Sequence, residues 1–321
     1  MKRIVVGAAA LLVALAGCAT PGGERAAVAD SSPQGTFPVT VEHALGSTTI
    51  EREPTRVVTL GPSDADAVLA LGVVPVGINS RYGFERGVGP WAEAALGDAD
   101  PVVTAGNELQ FEAIAALRPD VIVNVGSGGD PAEHDTLSRI APTIALPAGA
   151  APYAPRWQDA TRLIAQALGR AAEGERLVAA TEDHLREVAA ENPSFAGRTL
   201  TYLDVLAGEA YVGGREATVV TTMRELGFVD TPYVAGLPAE ETQSALSAEL
   251  LPQVDADVVL IYAIDGSPEQ ALAANAGLAN LGAVRAGRAQ FLPDLSLSAP
   301  SVLSIPYGVD RLVPFLQAAT G

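Results

Sequence analysis

The chain has 321 residues, a net charge of −18 and a single cysteine. Its acidity argues against nucleic acid and anionic lipid as partners, and an apolar share of 48 % is too high for a disordered chain. The length suggests about two domains.

The first residues, MKRIVVGAAALLVALAGCAT, read as a secretory signal over 1–17. Lys2 and Arg3 form the positive end. Ile4 to Ala16 is apolar, of signal-peptide length and too short to cross a bilayer comfortably. Leu15-Ala16-Gly17-Cys18 resembles the lipobox of bacterial lipoproteins. A lone cysteine has no intramolecular disulfide to make, and acylation of Cys18 accounts for it; two or more acyl chains anchor stably where one does not. Without residues 1–17 the chain has 304 residues and, since Lys2 and Arg3 leave with them, a net charge of −20. No second long apolar run follows, so the expected protein is anchored to a membrane and does not span it. Residues 18–35, small and turn-forming, read as a flexible tether.

Residues 36–51 alternate weakly and predict a β-hairpin around Gly46. RVVTL (56–60) is a short buried strand. GPSDADAVLALG predicts a helix capped by Ser63, with Asp66 three residues on, ending at Gly72. VVPVGIN (73–79) and PVVTAG (101–106) read as strands. In FEAIAALRPDVIV (111–123) Glu112 lies in the first turn of a short helix that Pro119 ends, and Val121 begins an apolar run of the kind buried on both faces of a parallel sheet. GSGGD, a helix from Pro131 through Ile140, and a strand in APTIALP follow. This rhythm of strands and helices implies βαβ units.

From Trp157 to about Glu191 the spacing is helical and free of proline. Gly169 and Gly174 leave open one long helix or two abutting ones. Strands are predicted over 199–205, 211–214, 257–264 and 290–293, and helices over 218–226, around 270–274 and over 309–319. The expected organisation is an α/β lobe over 36–155, a connecting helix over 156–195 and a second α/β lobe over 196–321. One line occurs in both lobes. Glu112 stands eight residues before Asp120, and Glu249 eight before Asp257 in SAELLPQVDADVVLI. VLALGVVPVGI (68–78) against MRELGFVDTPY (223–233) is a weaker echo. Duplication accounts for both, with Glu112 and Glu249 each opening a helix that feeds a buried strand.

No G-x-S-x-G elbow, HExxH or phosphate-binding loop occurs, so no enzyme is expected. The three histidines, His43, His134 and His184, stand in unrelated contexts that do not converge on a metal. In open α/β sheets ligands sit beyond the carboxyl ends of strands. The richest loop there is 80–91, with Arg81, Tyr82, Phe84, Arg86 and Trp91. Rings beside guanidinium groups suit a planar, electron-rich or anionic ligand; the other reading is a surface loop whose Trp91 packs on its own lobe. Ser127 in GSGGD, and Tyr211 and Arg215 in the second lobe, complete the candidate ligand contacts. GSGGD reads either as an anion-holding turn or as a plain tight turn. Tyr153 and Trp157 are weaker candidates that equally could seat the connecting helix.

FPVTVEHALGSTTIEREPTRVVTLGPSDADAVLALGVVPVGI, Pro90-Trp91, FEAIAALRPDVIV, HDTLSRIAPTIAL and SIPYGVDRLVPFL together resemble the iron-siderophore substrate-binding lipoproteins of ABC importers. The resemblance covers essentially the whole mature chain. It implies two Rossmann-like lobes with mainly parallel sheets, joined by one long helix, with a ligand cleft between them. It also implies that Glu112 and Glu249 form salt bridges with the permease dimer, one per lobe; the other reading is two ordinary first-turn glutamates on helix dipoles. The implied ligand is a ferric siderophore, which wraps its own iron, so no cofactor and no direct metal ligand are expected. The partners implied are the permease and, through the lipid, the outer face of the cytoplasmic membrane, and the chain is expected to be a monomer. Cobalamin or haem on the same scaffold is the alternative, haem requiring a tyrosine ligand such as Tyr82 or Tyr211.

Overall fold

The computed structural model describes residues 35–321, apart from residues 107 and 240. The expected signal segment, Cys18 and nearly all of the tether lie outside the described residues. Strands β1 (Val39–His43) and β2 (Gly46–Ile50) form the expected hairpin, turning at Gly46 with φ of 122°. Among the described residues no helix is long and apolar enough to cross a membrane.

The first sheet is wholly parallel. Strands β3 (Val57–Thr59), β4 (Gly77–Ser80), β5 (Val102–Ala105), β6 (Val121–Val123) and β7 (Thr143–Ile144) lie in the order β5-β4-β3-β6-β7. Helices α1 (Asp64–Ala70), α2 (Glu93–Leu96), α3 (Phe111–Ala116) and α4 (Pro131–Ser138) connect them. Val57, Val58, Val121, Ile122 and Val123 are fully buried. The unbroken apolar runs therefore report layers on both faces, each such side chain contributing roughly 1.5–3 kcal/mol. The strand expected at 73 starts only at Gly77, because the chain is still leaving α1: Gly72 has φ of 74° and Val73 N–H bonds to the Val68 carbonyl.

The helical span is two helices. α5 (Trp157–Ala167) and α6 (Ala171–Glu191) meet at Gly169, whose φ of 67° reverses the chain, and they pack as an antiparallel hairpin. Gly174 does not break α6; it lets the helices approach, since a Cβ there would stand 2.4 Å from the Cβ of Ala165. α5 packs Leu163, Ile164 and Leu168 into the first core. α6 carries Val178, Leu185 and Val188 into the second. The crossover is thus α6, 21 residues and about 31 Å long at 1.5 Å per residue.

The second sheet holds β8 (Thr199–Leu206), β9 (Glu209–Gly213), β10 (Val229–Asp230), β11 (Gln243–Leu246), β12 (Val258–Ala263) and β13 (Ala289–Phe291). Its order is β11-β9-β8-β12-β13, with β10 beside the start of β8. α7 (Thr218–Glu225), α8 (Pro232–Ala235), α9 (Pro268–Ala274), α10 (Ala276–Ala279), α11 (Gly282–Arg285) and α12 (Ser304–Thr320) complete it. α12 begins five residues before the expected Val309. Pro306 is accommodated in its first turn, where no N–H is needed, and Ser301 Oγ accepts from Ser304 N–H at 2.9 Å.

The repeated line has a structural counterpart. β4-β3-β6-β7 and β10-β8-β12-β13 are parallel arrangements in the same order. Asp120, before β6, accepts the N–H groups of Thr55 and Arg56 just ahead of β3. Asp257, before β12, accepts the N–H and hydroxyl of Thr199 at the start of β8. Each aspartate ties the entry of one central strand to its neighbour. The helix expected at Glu249 is absent: Glu249 lies in a turn before a single 3-10 turn, Leu251–Val254, because β11 runs to Leu246 and leaves no room for more.

Two histidines expected in unrelated places do meet. His43 on β1 and His134 on α4 stand edge to face, ring centroids 5.1 Å apart. Burial lowers the pKa of both. The unfolded chain then takes up protons first, so their contribution to stability is intact above about 6.5 and lost as pH falls. Denaturant midpoints at pH 7.5 and 5.5 should show a smaller acid loss in His134→Gln than in the parent; an unchanged loss would refute this.

Candidate ligand-binding cleft

The carboxyl ends of β3 and β6 in one sheet, and of β8 and β12 in the other, open on one cavity of about 1050 Å³. That is where parallel sheets place their ligands, and it is a generous size for a small-molecule site.

The first wall is built on the β3–α1 loop. Ser63 does not cap α1. Asp64, 3 % exposed, turns back instead: one oxygen accepts N–H from Gly61 and Val125 at 2.9 and 3.0 Å, the other from Gly126 at 3.1 Å. It joins the ends of β3 and β6 into a fixed floor. Burial pushes its pKa up to about 7, against the pull of the three N–H groups. Asp66, the expected capping partner, is also buried. It accepts Trp91 Nε1–H at 2.6 Å and the Ser301 hydroxyl at 2.8 Å, linking α1 to the loop ahead of α12 across the two sheets. Burial pushes this carboxyl up to about 6, with both donors opposing.

The opposite wall rises from β8 and β12. The Tyr202 hydroxyl donates to Asp204 and lies 3.2 Å from Ser298 Oγ; Gln243 Nε2 donates to the other Asp204 oxygen at 2.7 Å. Burial raises the pKa of Asp204. Tyr262 and Glu216 also line this side. Between the walls lie Tyr153, Arg156 and Trp157, the segment that enters α5. Tyr153 is 59 % exposed, holds a φ of 60°, and carries the Arg81 guanidinium 4.9 Å from its ring centre. A non-glycine residue at positive φ persists only where its surroundings hold it; here the Ser127 carbonyl accepts Tyr153 N–H at 2.9 Å.

Of the eight expected ligand contacts, Tyr82 lines the cavity and Arg81 reaches its rim over Tyr153. Trp91 faces inward to Asp66 and packs on Phe84 and Tyr307, at centroid distances of 5.6 and 5.9 Å, so the expectation of a cleft-facing indole is corrected. Phe84 packs between Trp91 and Tyr82. Arg86 is consumed by an ion pair with Glu93 and by the carbonyls of Gly97 and Ala99, which close its own loop. In GSGGD, Asp64 takes Gly126 N–H and Ser127 Oγ takes Gly129 N–H, and Ser127 lies outside the cavity lining. Tyr211 donates to Glu209 at 2.9 Å and lies outside the lining. Arg215 gives its carbonyl to Arg224, while its neighbour Glu216 meets the cavity. Glu112 and Glu249 are exposed, and neither makes an ion pair among the described residues.

Sequence reasoning passed over Tyr202, Asp204, Gln243, Tyr262 and Arg156. One signal was available. In TLTYLDV, Tyr202 and Asp204 stand two apart in a strand, Asp204 toward its carboxyl end, and a period of two puts them on one face. Arg156 and Gln243 carry no comparable mark.

Residues 57–294 match the family model described as periplasmic binding protein. The chain is 29 % identical over 270 residues to YfiY of Bacillus subtilis (strain 168), named a probable siderophore-binding lipoprotein, covering 80 % of each chain. A crystal structure of a periplasmic solute binding protein from Mycobacterium smegmatis has 32 % identity and a TM-score of 0.79, covering 88 % of this chain and 99 % of that one. PiaA of Streptococcus pneumoniae TIGR4, solved in complex with ferrichrome, has 28 % identity and a TM-score of 0.73 over 88 % and 98 %.

Proposed function

Because the chain belongs to the periplasmic binding protein family, we propose that it captures a ferric siderophore and hands it to an ABC importer permease. The observation that carries this is the cavity between the two lobes, with tyrosines on both walls and arginine at the rim. Relatives named for siderophore binding, and one solved with ferrichrome, support the same reading. The iron arrives inside the ligand, so the protein supplies shape, rings and hydrogen bonds and converts nothing chemically. Of the two tyrosines weighed for haem, Tyr211 donates to Glu209 outside the cavity lining, and Tyr82 lines the cavity.

The surrounding organisation follows in the same terms. Residues 1–17 direct export, acylated Cys18 with the tether to residue 35 holds the protein at the outer face of the cytoplasmic membrane, and 36–155 and 196–321 are the lobes on either side of 156–195. A relative named as a lipoprotein supports the anchor. Glu112 and Glu249, one per lobe and both exposed, are the docking contacts for the permease dimer.

The test uses Trp157, which lines the cavity at 6 % exposure. Mature protein titrated with ferric siderophores should show a saturable change in tryptophan fluorescence, absent in Trp157→Phe, and a ligand-dependent rise in Tm. Haem and cobalamin should give neither. No saturable response to any ferric siderophore would reject the function.

A further inference from the structure

Resting on the siderophore reading above, the charges in the cleft narrow the ligand further. Four carboxylates and two guanidinium groups line the cavity. Asp64 is turned away into three backbone N–H groups. The remaining three, Asp204, Glu216 and Glu225, belong to the second wall and the start and end of its α7 region. Of the two cations, Arg224 is committed: Asp230 takes it at 2.9 Å and the Arg215 carbonyl at 2.7 Å. That leaves Arg156, which lines the cavity and makes no ion pair among the described residues. Arg81 adds one charge at the rim, over Tyr153.

The cavity therefore holds more carboxylate than free cation. Asp204 is the most constrained member, because Tyr202 and Gln243 donate to its two oxygens and fix it against the cavity. A ligand brought here is partly desolvated, where like charges repel far more strongly than in water.

We propose that the ligand is a ferric complex of zero or positive net charge, of the trihydroxamate class. Each hydroxamic acid loses one proton to water as its two oxygens bind the ferric ion, so three of them make a neutral complex, and a pendant ammonium makes it cationic. Three catecholates give up two protons each and leave a trianion; ferric citrate complexes are likewise anionic. The trianion would have to lie against Asp204, Glu216 and Glu225. A neutral complex meets only polar carboxylate edges and tyrosine faces, and a pendant ammonium would find an acceptor on the Glu216 side.

The experiment titrates mature protein with four probes at fixed ionic strength, following tryptophan fluorescence. They are a linear ferric trihydroxamate with a free amine, its N-acetylated form, a ferric tricatecholate and ferric dicitrate. Both trihydroxamates are expected to bind at least about tenfold tighter than either anionic complex, a difference of about 1.4 kcal/mol. In Glu216→Lys with Glu225→Lys that preference should shrink or invert, with circular dichroism and Tm confirming that the variant folds. Tighter binding of the tricatecholate or of ferric dicitrate by the parent would overturn the class while leaving the siderophore function standing. An undiminished preference in the double variant would also overturn it, since the carboxylates would then not set the choice. Saturable binding of none of the four would overturn it too; if other ferric siderophores also fail, the function falls with it.

Discussion

A protein carrying Glu112→Lys and Glu249→Lys is expected to bind its ferric ligand like the parent and to support no uptake above background. Both glutamates are exposed, and neither lines the cavity. They stand at matched points of the two lobes, each eight residues before an aspartate that pins a central strand. The docking proposed above gives each half of a two-fold transporter one of these charges. Exposed charges of this kind act chiefly on encounter and register, and reversal converts attraction into like-charge repulsion costing several kcal/mol. Stability should barely move, because neither residue has an ion pair to lose among the described residues. The control is Glu51→Lys with Glu187→Lys, two exposed glutamates elsewhere that change net charge equally. Uptake of labelled ferric siderophore by cells lacking the native protein is the measurement. Normal transport by the first variant, or equal loss in both, would remove the docking role.

Asp64→Ala should be the most damaging single substitution in the cleft. It leaves three buried N–H groups, of Gly61, Val125 and Gly126, without acceptors. One orphaned buried donor costs roughly 1–3 kcal/mol, and three neighbours sharing one acceptor do not add fully, so about 2–4 kcal/mol is expected. Ligand affinity should fall as well, because the same bonds hold Pro62 and Ser63 against the cavity. The pH dependence separates this account from simple loss of packing. Burial raises the folded pKa of Asp64 to about 7 from 3.8. A raised carboxyl contributes stability that is fully present below the unfolded pKa and is lost as pH rises through the folded one. The gap between parent and variant should therefore widen as pH falls from about 8 toward 4. Urea midpoints across that range measure it, and a gap that stays constant or narrows would contradict the assignment.

The lobes were legible because their signals are local. VIV at 121–123 and VVLI at 258–261 are continuous apolar runs that only a strand covered on both faces can bury, and both are fully buried. The recurrence of FEAIAALRPDVIV has a structural counterpart in two parallel runs of the same order, β4-β3-β6-β7 and β10-β8-β12-β13. The cleft was less legible, because its residues are chosen by contacts between segments far apart in the chain. Nothing in GPSDAD distinguishes an aspartate that caps a helix from one that turns into Val125 and Gly126 or waits for Ser301, 235 residues away. Arg86 and Trp91 have the chemistry of ligand contacts, but Glu93 and Asp66 occupy them. Composition and periodicity decided the two α/β lobes and the helical span between them, since hydrophobic burial depends on spacing along the chain. Which charges remain free to meet a ligand was decided in space, because hydrogen bonds and ion pairs are satisfied by whatever the fold brings within reach.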